Sequence, residues 1–287
     1  MVRRARGLAV ALTGCVGLST GTARADPPGT PLQVGQHFSI DPVADGVLIG
    51  GGGGLAGLLS LVLSTGEITA TPPGPTSNLL SIDRVAVTQT IDPHAALYSN
   101  IALYSAIGFA ALDPILSGVR DGWDAALVDA VMYGESFALT EMVTDITKIA
   151  VRRPRPIDYI DCPYGSAASS SCTGTNYQLS FFSSHASSVA SIGATATYLA
   201  FQRTTARSPR PWITLAASVL LTAFVSYERV RAGVHFPTDV IAGSMAGAAI
   251  GVLVPHLHRH KEEAPPVWIG VAPSPHGGGA LTLGAVF

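Results

Sequence analysis

An all-α fold is predicted, a helical bundle of about six apolar helices, and three observations predict it. Long apolar runs recur between residues 47 and 255, each closed by proline, glycine or charge. No stretch of this core alternates apolar and polar residues as a half-buried strand does. The composition is 47% hydrophobic and only 13% charged, against a usual charged share of about 25%. Mean hydropathy is +0.37. Such a chain suits close-packed helices that meet lipid, and 287 residues are ample for a sizeable core. A net charge of −2 gives no basis for a nucleic-acid partner.

Residues 1–25 read as a signal peptide. MVRRAR is cationic, GLAVALTGCVGL is a short apolar stretch, and Ala23-Arg24-Ala25 is a cleavage site before Asp26. The alternative is acylation of Cys15, since LTGC at 12–15 resembles a lipoprotein box. Without Cys15, two cysteines remain. Cys162 and Cys172 bracket a polar loop and are expected to form a disulfide in an oxidising compartment, contributing about 3 kcal/mol.

The first apolar run, VLIGGGGGLAGLLSLVLS (47–64), has five consecutive glycines but not the spacing or strand context of a dinucleotide fingerprint. Its glycines suit close helix packing or a loop. TPPGPTSN (71–78) is a linker. A helix over 94–112 is expected to end at Asp113-Pro114, and one over 123–151 to end before Pro154. Helices over 183–202, 212–227 and 237–255 follow. The tail, VWIGVAPSPHGGGALTLGAVF, alternates around a Gly-rich centre and is compatible with a short C-terminal β-hairpin.

These runs have lengths suited to a bilayer. Arg203, Arg207, Arg210 and the HRHK segment sit where cytoplasmic charge is expected. Asp129, Glu135, Glu141 and Asp145 of the 123–151 run cannot all face lipid. A cleaved signal places the mature N-terminus outside, so one run, the Gly-rich first, is expected not to span.

Three clusters carry anion chemistry. KIAVRRPRP (148–156) places four cations in nine residues, in a chain with only 17 Lys and Arg. Pro154 stops the helix, so Arg155 can fold back toward Lys148, and an ammonium with a guanidinium can grip a tetrahedral oxyanion. A cationic helix end favouring the dipole accounts for one or two charges, not four. In FFSSHAS (181–187), Ser183 is an expected N-cap that leaves the N–H groups of Ser184 and His185 to an anion. In ERVRAGVHFPTDV (228–240), Pro237 opens a helix whose Asp239 can reach back to His235, and Arg229 is a further phosphate ligand. His256, His258 and His260 read as a solvated basic end rather than a metal site.

In this order the three clusters, over roughly residues 81 to 255, resemble the type 2 phosphatidic acid phosphatase and vanadium haloperoxidase superfamily. The resemblance implies His235 as nucleophile through a phospho-histidine, oriented by Asp239. His185 is implied as general acid and then base. Lys148, Arg155, Arg229, Ser183 and the Ser184 N–H are implied as phosphate ligands, with no metal and no cofactor. Two departures stand out: Phe182 and Ser184 replace the proline and glycine of the usual second motif, and Glu228 precedes Arg229 where serine is usual. Arg152, Arg153 and Arg231 read as outer-rim charges.

The chain therefore divides into a signal (1–25), an N-terminal segment with the Gly-rich helix and linker (26–80), a catalytic helical domain (81–260) and a tail (261–287). The expected activity is metal-independent hydrolysis of a lipid phosphomonoester or pyrophosphate on the extracytoplasmic side of the cell membrane. The alternatives are a soluble periplasmic acid phosphatase acting on small phosphate esters, a vanadate-dependent haloperoxidase, and an inactive anion-binding homologue. Sequence gives no oligomeric state.

Overall fold

The computed structural model describes residues 38–161, 164, 179–205, 207–259, 267–273 and 279–285. The signal segment with Cys15, and the expected Cys162–Cys172 disulfide, lie outside the described residues.

Six helices of 20 residues or more make the bundle: α1 (Pro42–Ser64), α3 (Ala95–Asp121), α4 (Trp123–Val151), α6 (Ser184–Arg203), α7 (Pro209–Arg231) and α8 (Pro237–Leu257). Two short helices, α2 (Val85–Thr88) and α5 (Pro156–Asp161), sit in the connections. Local chemistry sets the starts. Proline opens α1, α7 and α8, where its fixed φ and missing N–H do no harm. Asp41 caps α1 by accepting from the N–H groups of Val43 and Ala44. Gly122, at φ 98, turns the chain between α3 and α4. The strands β1 (Val267–Pro273) and β2 (Gly279–Ala285) pair antiparallel with each other; the bundle, not this pair, sets the fold class.

Successive long helices alternate in direction, so the bundle has two distinct ends. At one end the first turn of α1 meets the last of α8: the Ser39 N–H donates to the His258 carbonyl, and Phe38 bridges Arg259. At the other end, the Thr71 N–H donates to the Arg152 carbonyl just beyond α4.

The tightest approach is between α6 and α8. Gly243, Gly247 and Gly251 of α8 face Ser183, Ser187 and Ser191, so both helices present small residues at four-residue spacing. A Cβ on Gly247 would sit 1.9 Å from the Ser187 carbonyl oxygen, and one on Gly251 2.3 Å from that of Ser191. This contact fixes the N-terminus of α8 beside that of α6.

Four of the five acids of α4 turn inward, each to a polar partner, and Asp124 stays exposed. Asp129 pairs with Arg203, Glu135 lies beside His258, Glu141 accepts from Ser188, and Asp145 accepts from Ser60 at 2.5 Å. By length and composition α1, α3, α7 and α8 can each cross a membrane. Their outward faces carry exposed apolar side chains such as Leu58, Ile101, Leu220 and Met245, a surface that favours lipid over water.

One open reading is settled and two sequence expectations are corrected. Of the two uses read for the Gly-rich run, helix packing or a loop, the structure has the first: it is an uninterrupted helix, the most hydropathic of the four apolar ones, and its glycines at 52 and 53 lie against Ala138 of α4. The helix expected to end at Asp113-Pro114 runs on to Asp121 with Pro114 inside it. Buried Asp113 is held there by the Tyr133 hydroxyl at 2.9 Å, and a neighbouring helix that binds this turn lets it tolerate proline. Arg203 is no loop charge: its side chain is buried against Asp129 and Ser117.

Candidate active site

The site is assembled at the end of the bundle where α4 and α7 finish and α3, α6 and α8 begin. Lys148 occupies the last turn of α4. Arg152 then adopts φ 50, the left-handed geometry that closes a helix, and the chain turns through Arg153 and Pro154 to Arg155. Asp158 of α5 accepts from the Arg155 backbone N–H at 2.8 Å and fixes that turn. Arg229 lies in the last turn of α7, and a short connection returns through Gly233, at φ 68, to His235. Ser183 caps α6, its Oγ accepting from the Ala186 N–H, which leaves the first N–H groups of the helix pointing out of its end.

The sequence-predicted residues come together here. Arg229, His235, Lys148 and Arg155 all lie close enough to His185 to act on it electrostatically, and Arg155 and Arg229 act likewise on His235. His235 is 2% exposed. Its Nδ1 lies 2.8 Å from the Ser180 carbonyl, so Nδ1–H donates there and Nε2 keeps the lone pair. Burial, opposed by nearby Asp239 and reinforced by Arg229 and Arg155, pushes the His235 pKa down to about 3. The ring is therefore neutral near pH 7, as a nucleophile must be.

Asp239 does not hold His235 by a direct hydrogen bond: Oδ2 is 3.8 Å from Nδ1. It accepts instead from the Phe236 N–H at 2.7 Å and from the Ser180 hydroxyl. It thus fixes the residue whose carbonyl orients the imidazole, and its negative charge faces the ring from one shell further out.

Ser184 also brings its hydroxyl to the site. Its Oγ accepts from Lys148 Nζ at 2.7 Å, while Asp145 lies 3.6 Å from the same ammonium. The serine that replaces the usual glycine therefore positions the lysine. Glu228 is buried, and its Oε2 has no hydrogen-bond partner among the described residues.

Some contributors were not read from the sequence. Asn100 of α3 accepts at Oδ1 from His185 Nε2–H, 2.7 Å away, and Ser99 accepts from Arg229 at 3.4 Å. Asp83, fully buried, takes Thr238 by both its N–H and its hydroxyl, and pairs with Arg153 at 2.8 Å. Arg153 is the correction among the supposed rim charges. Its guanidinium bridges Asp83 and Asp239 and stacks 4.1 Å from the centre of the Phe236 ring. Arg152 stays exposed, and Arg231 pairs with Asp92 at 2.5 Å near the surface. The usable sequence signal for Arg153 was its place in the same cationic run. Asn100, Asp83 and Ser180 carried none, because they sit 55 to 155 residues from the atoms they hold in these contacts.

Residues 129–263 match the model of the PAP2 superfamily. Among solved structures, the chain is similar to a transmembrane PAP2-type phosphatidylglycerolphosphate phosphatase from Bacillus subtilis. Identity is 20%, the TM-score is 0.43, and 75% of this chain and 94% of that one are covered. No curated protein matches significantly.

Proposed function

On the premise that residues 129–263 are a PAP2-superfamily domain, we propose that the protein is a phosphatase hydrolysing a lipid phosphomonoester or pyrophosphate. The observation that carries this reading is the gathering of Lys148, Arg155, Arg229 and the α6 N-terminus around His185 and the buried, neutral His235. His235 Nε2 attacks phosphorus; the P–N bond forms as the P–O bond to the leaving group breaks. His185 gives that oxygen a proton, then takes one from the water that cleaves the phospho-histidine and releases phosphate. Lys148, Arg155, Arg229 and the N–H groups after Ser183 bind the equatorial oxygens, where transition-state charge is spread. A phosphate dianion also offsets the positive field around His185 and favours its acid form.

A lipid substrate is supported by an apolar groove of about 690 Å³ between α6, α7 and α8. Val240 and Ile241, one and two residues beyond Asp239, line it together with Ala190, Ala194 and Met245. A chain bound there would leave its headgroup near His235. Small soluble esters make no use of such a groove.

Helix direction constrains localisation. The N-terminus of α1 lies at the end away from His235. In a bundle that crosses the membrane, an extracytoplasmic site then places residues 38–41 on the cytoplasmic side, which is incompatible with export of the N-terminus by a signal cleaved after residue 25. We retain the outward-facing site, because α5 at that end leads directly into Cys162.

The test is phosphate release by the purified protein in detergent, without added metal, from phosphatidic acid, phosphatidylglycerol phosphate, an isoprenyl pyrophosphate and p-nitrophenyl phosphate. Vanadate-sensitive release from a lipid is expected. Release from p-nitrophenyl phosphate alone would overturn the lipid reading. Halide oxidation with peroxide and vanadate, and no phosphate release, would overturn the phosphatase.

A further inference from the structure

The end of the bundle away from His235 holds a second charge cluster. Asp45 projects from the first turn of α1, Glu135 from α4, and His258 closes α8. Asp45 is 5% exposed and Glu135 1%. One ligand atom from each residue lies within 4.8 Å of the other two. His258 was read as solvated; it is turned inward instead, because its partners come from helices far away in sequence.

The hydrogen bonds around the cluster orient its atoms. His258 Nδ1–H donates to the Val254 carbonyl at 2.8 Å, which leaves the Nε2 lone pair facing the two carboxylates. A backbone carbonyl on one imidazole nitrogen is the arrangement that prepares the other to bind a metal. Asp45 Oδ2 accepts from the Asp41 N–H at 2.8 Å, so Oδ1 turns to His258. Glu135 Oε1 is buried with no hydrogen-bond partner among the described residues.

The competing explanation is a protonated His258 held between two carboxylates. Its distances fit poorly. Nε2 is 3.3 Å from Asp45 Oδ1 and 3.5 Å from Glu135 Oε2, whereas charge-assisted N–H···O bonds run at about 2.7 to 2.9 Å. One N–H cannot point at both oxygens, and with both carboxylates ionised a single positive charge leaves the cluster at −1 in a buried place. Around a tetrahedral ion with bonds of about 2.0 to 2.1 Å, neighbouring ligand atoms are about 3.3 to 3.4 Å apart. A divalent ion also brings the cluster to neutrality.

We propose that Asp45, Glu135 and His258 bind a divalent transition-metal ion, zinc in first place, with one position left for a fourth ligand. One imidazole and two carboxylates form a donor set suited to zinc. The ion pins the start of α1 and the end of α8 to α4. With α8 about 30 Å long, it takes no part in phosphate chemistry, and the proposal stands independently of the phosphatase reading.

The test uses the full-length protein in detergent, stripped with chelator and titrated with ZnCl₂, with calorimetry and elemental analysis as readouts. One equivalent is expected, with a rise in Tm. Glu135→Gln and His258→Gln should each weaken binding at least about 10-fold. Should either variant fold poorly, Co²⁺ added to the wild-type protein reports on the site directly, through the visible absorption of a tetrahedral N/O centre. No zinc bound and no Tm change in the wild type would overturn the proposal. So would zinc retained at full affinity by both variants, or a Co²⁺ spectrum of purely octahedral type.

Discussion

The two ends of this bundle are electrostatic opposites. At the end where α6 and α8 begin, Lys148, Arg155 and Arg229 gather around two histidines and a helix N-terminus. At the other end, Asp45 and Glu135 gather around one histidine, and Arg203 is already matched by Asp129. Burial is costly for charge in either place unless a partner offsets it. Arg203 and Asp129 show a buried charge satisfied within the chain, and such a pair serves structure. On the proposed reading, the cations of the other end serve a ligand that comes and goes.

Substitutions can break this contrast, and the largest effect is expected at His235. His235→Gln should lower turnover by about 10⁴-fold or more, with thermal unfolding in detergent unchanged within a few degrees. Wild-type turnover in this variant would remove the nucleophile from the account. At the opposite end, Arg203→Leu leaves Asp129 buried without its partner and should cost about 3 to 5 kcal/mol of stability, while kcat per folded molecule stays unchanged. A loss of kcat without a loss of stability would show that the ends are not divided by role. Arg229→Met should reduce kcat/KM by about 10²- to 10³-fold, read from initial rates on the best lipid substrate. An effect below threefold would remove Arg229 from the phosphate ligands.

Smaller effects sharpen the picture within the active end. Asn100→Leu removes one hydrogen bond to His185 Nε2 and should lower kcat about 10-fold. KM should hold and the pH profile should shift, whereas a loss of stability with an unmoved profile would mean Asn100 is only structural. The depressed pKa of His235 fixes a sign. A base held at about 3 stays neutral as pH falls, so the reactive form persists between pH 7 and pH 5. After correction for substrate ionisation, this histidine should contribute no acid limb in kcat/KM there. An unperturbed imidazole, at about 6.5, would cost about 10-fold per unit below that value.

Much of the fold and of the candidate site was legible because it is encoded locally. The span of α4 from 123 to 151 could be read from its apolar periodicity and the proline that follows, and the serine cap of α6 from FFSSHAS. Each residue proposed to react sits inside a short run at a helix end, and such runs are visible without partners. What stayed hidden depends on contacts across the chain. Asp83 supports Thr238 from 155 residues away, and His258 meets Asp45 across 213. The role of Gly247 rests on how near Ser187 comes. Pro114 misled because local sterics favour a break, whereas the neighbouring helices hold the turn around it.

The most direct test of the central claim is to trap the enzyme with ³²P-labelled lipid phosphate, quench within milliseconds in alkali, and map the label. The account predicts a base-stable, acid-labile phosphoryl group on the peptide containing His235, absent from His235→Gln. Label on another residue, or rapid turnover with no trapped phospho-enzyme and full activity in His235→Gln, would contradict it.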